Sequence, residues 1–194
     1  MGEPTGRFVA IGDSFTEGVG DSHPRLPNGV RGWADRVADR LAKHEPGWEY
    51  ANLAVRSKRL DQIVAEQLPA ALELKPTLVT LYAGGNDILD SGTDMPSLMR
   101  RYEALVDQLA ATGATVVLFT SFDISVHPAL TVFLRRNRFY NDEVRRIAKE
   151  RGAVLLDYWS FEAYTNPRMW AADRLHMSKL GHRYLAARVL DTLE

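Results

Sequence analysis

A serine, a histidine and an aspartate stand near opposite ends of this chain in settings that suit nucleophilic catalysis. Near the start, the apolar run Phe8-Val9-Ala10-Ile11 breaks at Gly12 and presents Asp13 and Ser14. Near the end, Asp173-Arg174-Leu175-His176 places a carboxylate three residues before an imidazole. A serine hydroxyl attacks poorly until a base takes its proton, and histidine is the natural base near neutral pH. In a turn, the Asp173 spacing lets the carboxylate reach the near ring nitrogen of His176 and leaves the far one free. The carboxylate then fixes the tautomer and stabilises the imidazolium formed in the reaction. Attack on a carbonyl builds negative charge on its oxygen, which needs fixed donors. The candidates are the backbone N–H of Ser14, the side-chain amide of Asn86, and a backbone N–H from the loop after Asn52.

Each of these residues also has a plainer reading. Glu17 follows Ser14 at the spacing of a capping box, so Ser14 can simply be the N-cap of a helix. Gly84-Gly85-Asn86-Asp87 is good turn chemistry with or without a reaction. Four other histidines compete with His176. His23 lies in a polar loop, His44 at a helix end, and His182 within the last helix as a surface or packing residue. His127, before Pro128 at the same edge of the sheet, is the serious rival.

The elements between these stretches alternate. Phe8 to Gly12 reads as a strand buried on both faces, followed by a long polar loop from Gly18 to Arg31. Trp33, Val37 and Leu41 mark a helix stopped by Pro46-Gly47, and Trp48 to Leu53 reads as a second strand. Leu60, Ile63, Val64, Leu68 and Ala71 mark a helix bent or interrupted near Pro69. Thr77 to Tyr82 is a third strand, running into Gly84-Gly85-Asn86-Asp87. Pro96 opens a helix with Leu98, Tyr102, Leu105, Val106 and Leu109 inward, closed by Gly113. Thr115 to Thr120 is a fourth strand. A long helix follows the loop Ser121–Leu130, with Phe133, Tyr140, Val144 and Ile147 inward and Gly152 at its end. Val154 to Leu156 is the fifth strand. After the aromatic-rich connection Tyr158–Leu175, Ser178 caps a last helix with Leu180, Tyr184, Leu185, Val189 and Leu190 inward.

This alternation predicts a three-layer α/β/α fold. Its sheet is parallel, five-stranded and flavodoxin-like, in the order 2-1-3-4-5, and residues 1–194 form a single domain. Sites in such sheets form outside the carboxyl ends of the strands, at the switch point between strands 1 and 3. Ser14 and Asn86 both fall there.

Composition narrows the partners. The 194 residues carry a formal net charge of -1, so no global field favours nucleic acid or an anionic membrane. The basic face of the long helix (Arg135, Arg136, Arg138, Arg145, Arg146, Lys149, Arg151) is interleaved with Asp142, Glu143 and Glu150 and reads as a solvated surface. No run approaches the ~20 apolar residues of a membrane span. The start, Met1-Gly2-Glu3-Pro4-Thr5-Gly6-Arg7, lacks an apolar signal core. The absence of cysteine excludes thiolate catalysis and suits a cytoplasmic home.

Together the residues resemble the SGNH (GDSL) hydrolases. Gly12-Asp13-Ser14-Phe15 is similar to the nucleophile block, with phenylalanine for leucine. Gly84-Gly85-Asn86-Asp87 is similar to the block of the oxyanion asparagine, and Asp173-x-x-His176 to the block of acid and base. Asn52-Leu53-Ala54-Val55-Arg56-Ser57 resembles the remaining block, with Ser57 where glycine is usual. The four blocks occur in family order. The resemblance implies a serine esterase using Ser14, Asp173 and His176, an oxyanion hole of Ser14, Ser57 and Asn86, and no metal or organic cofactor. Its partner is a small-molecule ester (lipid-like, thioester or acetylated sugar), and the sequence leaves oligomeric state open. The three long loops are expected to line the substrate pockets, and Trp159, Phe161 and Trp170 read either as apolar walls of those pockets or simply as core. Two rival readings are a phosphate- or flavin-binding module at the strand–helix turn and a metal site of Asp13, Asp87 and His176.

Overall fold

The computed structural model describes residues 4–193, so Met1-Gly2-Glu3 of the polar start lies outside it. Five parallel strands form one sheet in the order β2-β1-β3-β4-β5. They are β1 (Gly6–Gly12), β2 (Trp48–Asn52), β3 (Leu78–Tyr82), β4 (Thr115–Phe119) and β5 (Val154–Leu156). Strand order and direction are those expected from the alternation.

Successive strand residues enter opposite cores, as the two-residue period of a strand requires. Val9, Ile11, Val79, Leu81, Val116 and Leu118 pack into one core with Leu60, Leu98, Tyr102 and Tyr140. Phe8, Ala10, Leu78, Val117 and Phe119 pack into the other with Trp33, Val37, Leu185 and Val189. Both faces of the sheet are thereby covered, which is why Phe8 to Ile11 is apolar at every position.

The helices are α1 (Ser14–Glu17), α2 (Trp33–His44), α3 (Leu60–Glu66), α4 (Leu68–Glu73), α5 (Gly85–Ile88), α6 (Met95–Ala110), α7 (Leu134–Arg151) and α8 (Lys179–Leu193). The interruption near Pro69 is complete: α3 ends before Gln67 and α4 starts at Leu68, with the proline in its first turn. In α6, Asp94 caps the start by accepting from the Ser97 N–H at 3.1 Å. In α8, Ser178 accepts from the Gly181 N–H at 3.2 Å, the expected cap.

Two local expectations fail. Ser14 and Glu17 form no capping box. Asp13 caps α1 instead, accepting from Phe15 N at 3.1 Å, and Ser14 is the first helical residue. On α8, Leu180 is exposed and Tyr184 and Leu190 are half-buried, whereas His182 is fully buried. The inward face lies on Gly181, His182, Leu185 and Val189, so a polar ring occupies a place that periodicity gave to leucine. Among the described residues no helix is long and apolar enough to cross a membrane. Much of the basic face of α7 is internally paired: Arg145 with Asp142 and Asp157, Arg146 with Glu103, Glu143 and Glu150, Arg151 with Glu103 and Asp107.

Candidate active site

The end of β1 is fixed before any reacting group appears. A Cβ on Gly12 would lie 2.3 Å from the Tyr82 carbonyl oxygen, and its φ of +153° is open to glycine, so the chain passes close to β3 there. Gln67, in the break between α3 and α4, accepts from the Gly12 N–H and donates to the Gly12 C=O, both at 2.9 Å. This amide takes over the ladder just where the strand turns away. Sequence reasoning missed it, although a signal exists: Gln67 sits on the apolar stripe of Leu60, Ile63, Val64 and Ala71 as its one polar member.

Ser14 follows at the start of α1, almost fully buried. Its Oγ lies 3.0 Å from His176 Nε2, across 162 residues of chain. His176 Nδ1 lies 2.7 Å from Asp173 Oδ2. The other carboxylate oxygen, Oδ1, accepts from the N–H groups of Leu175 and His176, both at 3.0 Å. Arg174, at φ +54°, makes the tight turn that this double acceptance requires. Burial pushes the Asp173 carboxyl upward, but the imidazole and the two amides outweigh it and hold its pKa below the ordinary value. With the carboxylate accepting at Nδ1, the ring carries its proton there, and Nε2 is free to accept from Ser14.

His127 does not reach this place. Its ring packs edge-on against Trp170 at 4.7 Å and Phe122 at 5.8 Å, and burial lowers its pKa. His182 Nε2 bonds the Val19 carbonyl at 3.0 Å, tying the chain after α1 to α8. His23 is half-buried and His44 exposed. Asp13, Asp87 and His176 form no three-residue metal-holding group among the described residues. Nor is a phosphate cradle favoured at the turn, because the Ser14 hydroxyl is engaged and the Glu17 carboxylate is buried beside it.

The three residues expected to supply oxyanion donors, Ser14, Ser57 and Asn86, line one cleft together with His176. The Ser14 N–H sits in the first turn of α1, where backbone donors have no helical acceptor. Asn86 donates to the Lys58 carbonyl at 2.9 Å and lies 3.4 Å from Asp13 Oδ2. Burial raises the Asp13 pKa to about 7; the Phe15 N–H opposes this and the nearby Asp87 carboxyl adds to it. Ser57 adopts φ +64°, the left-handed conformation that the usual glycine enters without strain. What holds it is next door. Glu17 accepts from the Arg56 N–H at 2.7 Å and from its guanidinium at 2.8–3.1 Å. Asn52 adds a bond to the Thr16 carbonyl at 2.9 Å, so α1 carries Ser14 and also anchors the Ser57 loop. On the other side, Arg136 donates to the carbonyls of Ile88, Asp90 and Thr93 at 2.7–3.0 Å, bracing the end of α5.

The expected pocket walls need correction. Trp159 and Phe161 line a separate cavity with Asp123 and Val126. Trp170 is core, 4.7 Å from Phe122, with its indole N–H on the Tyr164 carbonyl. Nothing from Gly18–Arg31 lines the cleft, and the connection Tyr158–Leu175 contributes only Leu175. These aromatics fill space beneath the loops, and composition alone does not distinguish a covered wall from an open one.

Comparison with known proteins agrees with this picture. Many solved structures share the fold, three of them as follows. One is LAE5, an α/β hydrolase enzyme from the metagenome of Lake Arreo, Spain, at 21% identity and TM-score 0.80, covering 98% of this chain and 96% of that one. Another is Axe2, an acetylxylan esterase from Geobacillus stearothermophilus, at 21% and 0.81, covering 98% and 95%. The third is TesA, at 24% and 0.75, covering 97% and 98%. No curated protein sequence matches. Residues 10–184 match the GDSL-like Lipase/Acylhydrolase family, and the chain therefore belongs to that family of ester hydrolases.

Proposed function

We propose that Ser14, His176 and Asp173 are the catalytic triad of this esterase and that Ser14, Ser57 and Asn86 form its oxyanion hole. The observation that carries the reading is the unbroken chain Ser14 Oγ–His176 Nε2–His176 Nδ1–Asp173 Oδ2 at 3.0 and 2.7 Å. His176 takes the Ser14 proton as Oγ attacks the ester carbonyl. The oxygen of the tetrahedral intermediate takes the two backbone N–H groups and an Asn86 amide hydrogen. Both Nδ2 hydrogens of Asn86 have partners at rest, so the long 3.4 Å contact to Asp13 is the one surrendered. His176 then gives its proton to the leaving alcohol or thiol. Water, activated by the same ring, releases the acid from Ser14. Asp173 holds the ring in register and stabilises its charged form.

Nothing in these steps calls for a metal or an organic cofactor, and the partner is a small ester. Sugar acetates, the substrate class named for Axe2, and thioesters fit the same chemistry, and the cleft decides among them. Replacing Ser14 by alanine is expected to lower kcat by roughly 10⁴- to 10⁶-fold with the fold intact. Near-wild-type turnover of p-nitrophenyl acetate by Ser14→Ala would remove the nucleophile.

A further inference from the structure

The cleft beside Ser14 is walled by carbon. Ile88 and Leu89 enter it from the end of α5, two and three residues after Asn86. Phe122, Ile124 and Leu130 enter from the connection between β4 and α7. Phe15 follows the nucleophile and Leu175 precedes the base. Phe15, Leu89, Leu130 and Leu175 are only half-buried, so apolar surface stays open beside the reacting pair.

Most of its polar lining is already engaged, the Ser57 and Tyr82 hydroxyls apart. Ser14 and His176 bond each other, and Asp13 holds the Phe15 N–H. Asn86 is tied to Lys58 and Asp13, and the Ser121 hydroxyl turns back to the Phe122 carbonyl at 3.5 Å. Among the described residues no lysine or arginine lines the cleft, and Asp13 is its single carboxylate. A sugar ring here would give up water at several hydroxyls and find few partners, which is costly. A phosphate or carboxylate would find no counter-charge. An alkyl chain loses nothing and covers the open leucines.

We infer that this cleft is an acyl slot and that the substrates are esters of unbranched aliphatic acids longer than acetate, with Leu89 and Leu130 setting the preference. The inference rests on the triad reading above and names the acyl group that the triad transfers. Each methylene that enters the slot should raise kcat/KM by about fourfold, the factor expected for burying one CH₂. The rise should stop where the chain outgrows the walls. The alcohol side is left unspecified by these walls, so oxygen esters and thioesters of the same acid should follow one chain-length order.

The test is a series of p-nitrophenyl esters from acetate to octanoate, with acetylated xylobiose alongside, on the wild type, Ser14→Ala, Leu89→Trp and Leu130→Glu. The expected result is a kcat/KM that climbs from acetate to at least hexanoate in the wild type and exceeds that for the acetylated sugar. The hexanoate-to-acetate ratio should fall at least about tenfold in Leu89→Trp, which fills the slot, and in Leu130→Glu, which charges it. The second variant keeps the test valid if the first does not fold. A wild type fastest on acetate or on the sugar overturns the slot and leaves the triad standing. An unchanged ratio in both folded variants overturns the role of these leucines. Ser14→Ala turning over the series as the wild type does would overturn the triad and the slot together.

Discussion

Glu17 and Arg56 are joined by a carboxylate that takes the arginine's backbone N–H and its guanidinium at once. Glu17 is three residues beyond Ser14 on the same short helix, and Arg56 directly precedes Ser57. The clamp therefore fixes the distance between Ser14 and the Ser57 loop, and it holds Ser57 at a φ of +64° that costs a serine roughly 1–2 kcal/mol. Cutting it with Glu17→Ala should lower kcat about tenfold or more and move KM little, as loss of an aligned oxyanion donor does. Ser57→Gly enters the left-handed region freely, so adding it to Glu17→Ala should restore part of the lost kcat. Steady-state kinetics on the wild type, both single variants and the double variant measure this coupling. Additive effects would show that the clamp does not act through Ser57.

Much of the fold was legible because a two-sided parallel sheet leaves a strong trace. Phe8 to Ile11 and Leu78 to Tyr82 are apolar without alternation, and helical stripes separate them. Ser14 and Asn86 follow the ends of β1 and β3 as the alternation predicts, and His176 stands beside Ser14 although it precedes α8 rather than following a strand. The supports were less visible. Gln67 and Arg136 act on backbone groups far away in sequence, and a residue type says nothing of which carbonyl it will meet. The capping-box alternative for Ser14 and Glu17 fails because Arg56, 39 residues away, holds the Glu17 carboxylate instead. Of the two readings of His182, surface or packing, the buried one holds, because the Val19 carbonyl gives the ring a partner there.

Gln67 satisfies both backbone groups of Gly12 in a buried setting. In Gln67→Ala the Gly12 N–H loses its partner, at a cost of about 1–3 kcal/mol, whereas the Gly12 C=O keeps the bond from the Val55 N–H at 3.3 Å. Urea unfolding should show a stability loss of about 1–3 kcal/mol, and activity should fall with it because Gly12 sets the Asp13–Ser14 turn. A loss under about 0.5 kcal/mol would mean that water replaces the amide without penalty.

Asp13 gives stability a particular pH dependence. Its folded pKa of about 7 is above the unfolded value near 3.8, chiefly through burial. Between those values the unfolded chain has lost the proton that the native state still holds. Native stability from this group therefore falls as pH rises from about 4 to 7 and is flat beyond. Asp13→Asn removes this dependence. The Tm of Asp13→Asn minus that of the wild type should rise between pH 5 and pH 8, by at least about 3 °C for a chain of this size. A difference that is constant, or that falls with pH, would show that Asp13 is ionised throughout.

The central claim is that the Ser14 hydroxyl, activated by His176 and Asp173, forms the covalent bond to the acyl group. An alkyl fluorophosphonate reports this directly, since an activated serine displaces fluoride and keeps the phosphonyl group. Intact-mass analysis and peptide mapping should find one adduct per chain, on Ser14, formed rapidly in the wild type and very slowly in His176→Ala. An adduct on another residue, or equal labelling of Ser14 with and without His176, would contradict it.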